Sequence, residues 1–155
     1  MVLRKKQMKN FFKALFCKED GGAAKGGRID SFEVVTLHTS GMRHVSEHEI
    51  VMKDGAAEVS LYGIGHGYER ILQKRAVCSE EEALKLLNDC RITSWDGFHG
   101  KHPKGVLDGT MFRFKATVNG GVTISADGSQ NFPRHYRDFT DGLYEILNKE
   151  ENKNV

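Results

Sequence analysis

Two short turn motifs constrain the fold of this chain more than any other feature. The first is Asp54-Gly55, which is flanked by two runs of strand character, 49–53 and 56–62. Asp-Gly favours a two-residue β-hairpin turn because both turn residues must adopt a positive φ. Such a turn places Ile50 opposite Val59, so apolar residues meet across the two strands and the register is consistent with the turn.

The second motif is Asn119-Gly120-Gly121, between the alternating runs 111–118 and 122–126. A two-residue turn here would set Val118 against Gly121 and mismatch the apolar faces of the strands. A three-residue turn pairs Val118 with Val122 instead. The sequence therefore predicts a three-residue hairpin loop with a glycine in the left-handed conformation.

The remaining elements follow from propensity and capping signals. Residues 30–39 and 70–77 are rich in β-branched and apolar residues, which is typical of strands. Ser79 and Glu82 form a capping box that predicts the start of a helix. Apolar residues spaced by three and four predict a last helix from about Pro133 to Lys149. Its first N–H groups are expected to be capped by the polar side chains of Ser129, Gln130 and Asn131.

The order of predicted elements is β-β-β-β-α-β-β-α. Consecutive hairpins without β-α-β alternation favour an α+β fold, with an antiparallel sheet of about six strands and two helices on one face. The predicted organisation is one α+β domain at residues 29–149, followed by a frayed tail at 150–155.

The amino-terminal part of the chain differs in charge from the rest. Residues 1–28 hold eight Lys and Arg against two acidic residues, whereas the remainder holds fifteen against nineteen. Residues 1–18 predict a basic amphipathic helix with an apolar stripe, and 19–28 a glycine-rich linker. The helix could lie on an anionic membrane surface, pack on the protein's own core or on a partner, or remain unstructured.

Composition narrows the classes of function. The chain has three cysteines and no Cys-x-x-Cys pair, which favours a reduced, cytoplasmic protein. The basic helix at residues 1–18 offers a means of peripheral attachment to the inner face of the membrane. The acidic balance of the body gives no reason to expect nucleic acid. The glycines of 63–70 lack the spacing of a dinucleotide fingerprint, so no cofactor is expected.

The segment WDGFHGKHP, residues 95–103, contains the candidate chemistry. His99 and His102 are weak candidates for a metal site, with Asp96, Asp108 or Cys90 as further ligands. Zinc requires three or four ligands in tetrahedral geometry, and two histidines on a glycine-rich loop are not preorganised for it. They are also candidates for acid–base catalysis, with Asp96 to orient His99. The alternative is structural: Trp95 and Phe98 anchor the loop on the core while the glycines permit its turns. No nucleophile can be identified from the sequence.

Three segments together resemble a group of small bacterial proteins. They are Trp95-Asp-Gly-Phe98, Asp108-Gly109-Thr-Met-Phe112 and Gly128-Ser-Gln-Asn-Phe-Pro133. The group is similar in having a W-x-G-F segment, a hairpin begun by Asp-Gly, and a G-S-x-x-[FY]-P lead into a final helix. The resemblance covers about Ser94–Leu147 and implies a bacterial source and an α+β domain, but no activity. Gln130 departs from the pattern, which favours Asn or a small residue there.

The function expected from the sequence is a non-enzymatic module that binds a protein or peptide partner, tethered by its basic helix. The alternative is a small hydrolase or transferase that uses the His99/His102 loop, with or without a metal ion. Neither the partner nor the oligomeric state follows from the sequence.

Overall fold

A computed structural model describes residues 27–153 of the chain. The predicted helix at 1–18 and the predicted linker up to residue 26 lie outside the described residues. Within residues 27–153 there are seven strands, two α-helices and a 3₁₀ turn. In chain order they are β1 (Phe32–Ser40), β2 (Val45–Lys53), β3 (Ala56–Ile64), β4 (Arg70–Ser79), α1 (Glu80–Asp89), the 3₁₀ turn (Ile92–Trp95), β5 (His99–Gly100), β6 (Met111–Val118), β7 (Val122–Ser129) and α2 (Tyr136–Lys153).

The strands form one sheet in the order β4-β3-β2-β1-β6-β7-β5. All neighbours are antiparallel except β5, which runs parallel to β7. The predicted α+β class is confirmed, and the expected six strands become seven because His99 pairs with Asp127 and Gly100 with Gly128. A strand of two residues has no alternation that a sequence pattern can reveal.

Both predicted hairpins are confirmed in their register. Ile50 pairs with Val59 across the first turn, where Asp54 and Gly55 have φ angles of 53° and 80°. Val118 pairs with Val122 across the three-residue loop of the second hairpin. Gly120 in that loop has a φ of 75°, the left-handed conformation that the loop requires.

One face of the sheet is apolar and buried. Cross-strand pairs share a face, so the register aligns a row of apolar side chains across six strands: Ala76, Val59, Ile50, Val35, Ala116 and Ile124. All six are buried. Both helices pack against β3 and β4. Helix α2 lies on the buried face, because Lys74, which points to the same face as Ala76, contacts Asn148 of α2. Helix α1 lies there too, because its Ala83 and Leu87 belong to the same buried core. Burial of this continuous apolar surface is the main stabilising contribution to the fold.

The start of α1 agrees with the prediction and the start of α2 does not. The backbone N–H of Glu82 donates to the Ser79 hydroxyl at 3.1 Å, which confirms Ser79 as the N-cap. The carboxylate of Glu82 contacts Lys149 of α2, so the reciprocal bond of the predicted capping box is not seen. Helix α2 begins at Tyr136, three residues after Pro133, because His135 has a φ of 66° and cannot belong to a regular helix. It continues to Lys153, beyond the expected end near Lys149. Neither described helix combines the length and the apolar character that crossing a membrane requires.

Candidate functional site

The face of the sheet opposite the helices carries polar and charged side chains. A cleft of about 370 Å³ lies on this open face, at the end formed by β1, β6, β7 and β5. We call it the histidine cleft. It is lined by His38, Ser40, His99, Gly100, Lys101, His102, Met111, Phe112, Arg113, Asp127, Gly128 and Ser129. The structure thus brings His99 and His102 together in one cleft.

His99 owes its position to the short parallel strand β5. Its register places His99 beside Asp127 of β7, and the imidazole Nδ1 contacts the Asp127 carboxylate. Both side chains are more than half exposed. Asp127, not Asp96, is therefore the carboxylate that orients His99. The sequence offered no signal for this pair, since the two residues are 28 positions apart and β5 is too short to predict.

Asp96 has a structural role near the cleft. Its carboxylate accepts a hydrogen bond from the backbone N–H of Ser125 at 3.0 Å, and Asp96 does not line the histidine cleft. The adjacent Trp95 is buried, as the structural interpretation of this segment requires. Through this hydrogen bond, Asp96 connects the segment after the 3₁₀ turn to strand β7.

Two hydrogen bonds determine which ring nitrogen of the neutral His102 side chain carries the proton. Nε2 lies 2.6 Å from the carbonyl oxygen of Val106, and Nδ1 lies 2.7 Å from the hydroxyl of Ser129. Because a carbonyl oxygen only accepts, Nε2 must carry the proton. In the neutral imidazole Nδ1 is therefore the acceptor, and the Ser129 O–H donates to it.

The polar residues that precede α2 hold the 101–110 loop rather than cap the helix. The Gln130 amide oxygen accepts from the backbone N–H of Thr110 at 2.8 Å. The Asn131 amide donates to the carbonyl of Lys101 at 3.2 Å. The predicted capping role of Ser129, Gln130 and Asn131 is therefore wrong. The real contacts join segments about 20 to 30 residues apart, which a local pattern does not show.

Two glycines of the cleft are required by close approach rather than by a turn. Gly100 and Gly128 are cross-strand partners, and a Cβ atom at either position would overlap the backbone carbonyl of Asn131. Gly97 is a true turn position, with a φ of 78°. The glycines of WDGFHG thus serve two different purposes, of which the sequence suggested only one.

A row of ionisable groups crosses the open face through the cleft. Cross-strand pairing aligns Glu47, His38, Arg113 and Asp127. Glu47 lies 3.1 Å from the Arg70 guanidinium and 3.6 Å from His38. Asp127 contacts His99, so both carboxylates of the row have partners. Arg113 has no ion pair within residues 27–153, and its positive charge faces the cleft.

Other candidate residues do not extend this site. No group of three or more His, Cys, Asp or Glu side chains in the described chain is arranged to hold a metal ion. His66 lies in the turn between β3 and β4, outside the cleft lining. Cys78 and Cys90 are buried, and burial raises the pKa of both thiols, that of Cys90 to about 11. They are protonated near neutral pH and are not poised as nucleophiles.

The edge strand β4 forms a second notable surface. Among the described strands it pairs only with β3. Three of its large apolar side chains are exposed, Ile71 by 50%, Leu72 by 46% and Val77 by 62%. No other strand within residues 27–153 covers this edge of ten residues, and the unpaired backbone groups of such an edge can bind another extended chain. The opposite edge, β5, has only two residues.

Comparisons of this chain with protein-family models, with curated proteins and with solved structures found no match. The resemblance of residues 94–147 to small bacterial proteins therefore stays a prediction.

Proposed function

We propose that this chain is an interaction module that binds an extended peptide segment of a partner protein along β4. The observation that carries this proposal is the long edge of β4, which no further strand of the described chain covers and which exposes Ile71, Leu72 and Val77. A peptide that adds a strand to a sheet gains affinity from main-chain hydrogen bonds and specificity from its alternate side chains.

The charge of β4 favours a partner that is not a second copy of this chain. The strand holds Arg70, Lys74 and Arg75 and no acidic residue. Antiparallel pairing of β4 with itself would bring Lys74 and Arg75 near the same side chains of the other copy, and like charges across a strand pair are destabilising. An extended peptide that alternates acidic and apolar residues can place all its carboxylates on the open face. They would join Glu47, Glu49 and Glu58, which already pair with Arg70 and Arg75 there.

The test uses the full chain and two synthetic ten-residue peptides, one alternating Glu with Val and the other alternating Lys with Val. We expect the Glu/Val peptide to bind, measured by fluorescence anisotropy, and to slow hydrogen–deuterium exchange of the amides of β4. The Lys/Val peptide should do neither. Hydrogen–deuterium exchange is the decisive measurement, because strand addition protects the backbone N–H groups of β4 that point away from β3.

A matched pair of variants locates the binding. Val77→Asp places a negative charge on the exposed edge and should weaken binding at least tenfold. Leu107→Asp makes the same change at a residue that is 96% exposed in the 101–110 loop, and it should leave binding unchanged. The proposal fails if neither peptide protects β4, or if both variants bind the Glu/Val peptide like the unaltered protein.

A further inference from the structure

We infer that Ser129 and His102 form a nucleophile–base pair that hydrolyses small esters bearing a carboxylate. This activity goes beyond the interaction module and is independent of the β4 edge. A nucleophile needs a base within hydrogen-bond reach and a third group that orients the base. The Ser129 hydroxyl, the His102 ring and the Val106 carbonyl meet this requirement, with distances of 2.7 Å and 2.6 Å.

The direction of the two hydrogen bonds suits the reaction. The Val106 carbonyl holds the proton on Nε2, which leaves Nδ1 free to take the proton of Ser129. Ser129 lies at the end of β7 and shares the open face with its pair partner Met111. Its hydroxyl is therefore presented to the histidine cleft, where a substrate of a few carbon atoms finds room in about 370 Å³.

Two cations in the cleft indicate the substrate class. Arg113 and Lys101 both line it, and Arg113 has no ion pair among the described side chains. Arg113 lies directly across the strand pair from Asp127, which precedes Ser129 by two residues. Arg113 is therefore a diagonal neighbour of Ser129, at roughly 7–8 Å. That separation suits an ester whose carbonyl lies at Ser129 and whose carboxylate lies at Arg113.

The reaction balances without a further reagent. The Ser129 oxygen bonds to the ester carbonyl carbon as its proton passes to Nδ1 of His102. The bond to the alcohol oxygen then breaks, and the alcohol leaves with that proton. Water gives a proton to Nδ1 and its oxygen to the acyl carbon, and Ser129 leaves with the proton restored. One ester and one water yield one carboxylic acid and one alcohol.

The first test is covalent labelling of the full chain with a fluorophosphonate ester, read by intact mass and by peptide mapping. We expect one label, on Ser129. Ser129→Ala should abolish it, whereas Ser125→Ala should retain it, because Ser125 faces the same side of β7 but does not line the cleft. Peptide mapping of the unaltered protein identifies the labelled residue even if a variant fails to fold. Absence of a label, or a label elsewhere, overturns the inference.

The second test separates a base from a merely structural histidine. His102→Gln retains an N–H donor for Val106 but has no ring nitrogen to take the proton. General-base catalysis contributes about 10²- to 10⁴-fold, so we expect the labelling rate to fall at least about 10²-fold while the denaturation midpoint changes little. An unchanged labelling rate would show that His102 only holds the loop, and the inference would be wrong.

The third test addresses the substrate class. Hydrolysis of mono-p-nitrophenyl succinate, which carries a carboxylate, is compared with that of neutral p-nitrophenyl acetate. Arg113→Ala should lower kcat/KM for the succinate ester at least tenfold more than for the acetate ester. Lys115→Ala, on the same strand and face but outside the cleft, should affect both equally. Equal effects of Arg113→Ala on both esters would exclude carboxylate recognition by Arg113.

Discussion

The indole N–H of Trp95 donates a hydrogen bond to the backbone carbonyl of Arg134 across 2.9 Å. This bond joins the 3₁₀ turn before β5 to the segment that leads into α2. The ring is 1% exposed and makes edge contacts with Phe114 and Phe139, at centroid distances of 4.9 Å and 5.6 Å. The same side chain therefore fills the core and fixes both segments that border the histidine cleft.

Trp95→Phe should destabilise the protein by about 1–3 kcal/mol, because it leaves the Arg134 carbonyl without its donor and removes ring volume. Urea denaturation followed by circular dichroism measures this change. Tyr144→Phe, at a residue that is 69% exposed on α2, is the control and should change the free energy of unfolding by less than about 0.5 kcal/mol. Equal effects of the two variants would contradict the anchoring role.

Gly128→Ala should cost roughly 1–3 kcal/mol, because a methyl group there meets the Asn131 carbonyl and the ring of Phe112 in a tightly packed region. Thr123→Ala on the same strand removes an exposed side chain and serves as the control. The free energies of unfolding of both variants can be compared in urea. A neutral Gly128→Ala would mean that the backbone of Asn131 moves away freely.

His48 should make stability depend on pH. It faces the core between Leu37 and Leu61, its Nδ1 has no hydrogen-bond partner among the described residues, and burial lowers its pKa from 6.5. Below pH 6.5 the unfolded chain binds a proton that the folded chain resists, so stability decreases as the pH falls.

The variant His48→Leu removes this dependence and matches its apolar neighbours. We expect its stability relative to the unaltered protein to increase between pH 7.5 and pH 5.5. The other histidines, including His99 and His135 beside carboxylates, are common to both proteins and cancel in the difference. A stability difference that does not vary with pH would contradict the prediction.

The buried thiols should be unreactive in the folded protein. In a Cys17→Ser background, only Cys78 and Cys90 remain. A pKa of about 11 for Cys90 against an ordinary 9.0 lowers its thiolate fraction near neutral pH by roughly a hundredfold. Titration with a thiol-reactive chromogenic disulfide should be slow in buffer and complete in 6 M guanidinium chloride. Rapid native reaction would show that these thiols are accessible.

The parts of the fold that the sequence predicted correctly are those fixed by local chemistry. Asp54-Gly55 determined a hairpin and its register, since turn geometry and alternation both act within a few residues. Ser79 determined the start of α1 in the same way. The start of α2 was misplaced because the left-handed backbone of His135 has no equivalent local signal.

The site was only partly predictable, because contacts between distant segments create it. The segment WDGFHGKHP predicted His99 and His102 as candidates, and the structure places both in one cleft. Their partners Asp127 and Ser129 lie 28 and 27 residues further along the chain and become neighbours only through β5, a strand of two residues. The sequence predicted a helix-capping role for Ser129 because this polar residue lies shortly before the last helix.

The position of β1 in the middle of the sheet has a consequence for how the protein is made. The strands β1 to β4 can pair as soon as they emerge from the ribosome, because each hairpin is local. The other side of β1 pairs with β6, whose residue 114 lies opposite Leu37. While residues 54–110 are being synthesised, β1 is paired with β2 but its other edge is unpaired, and exposed edges are sites of aggregation. The nascent chain is therefore prone to aggregation through the free edge of β1 until β6 is made and pairs with it.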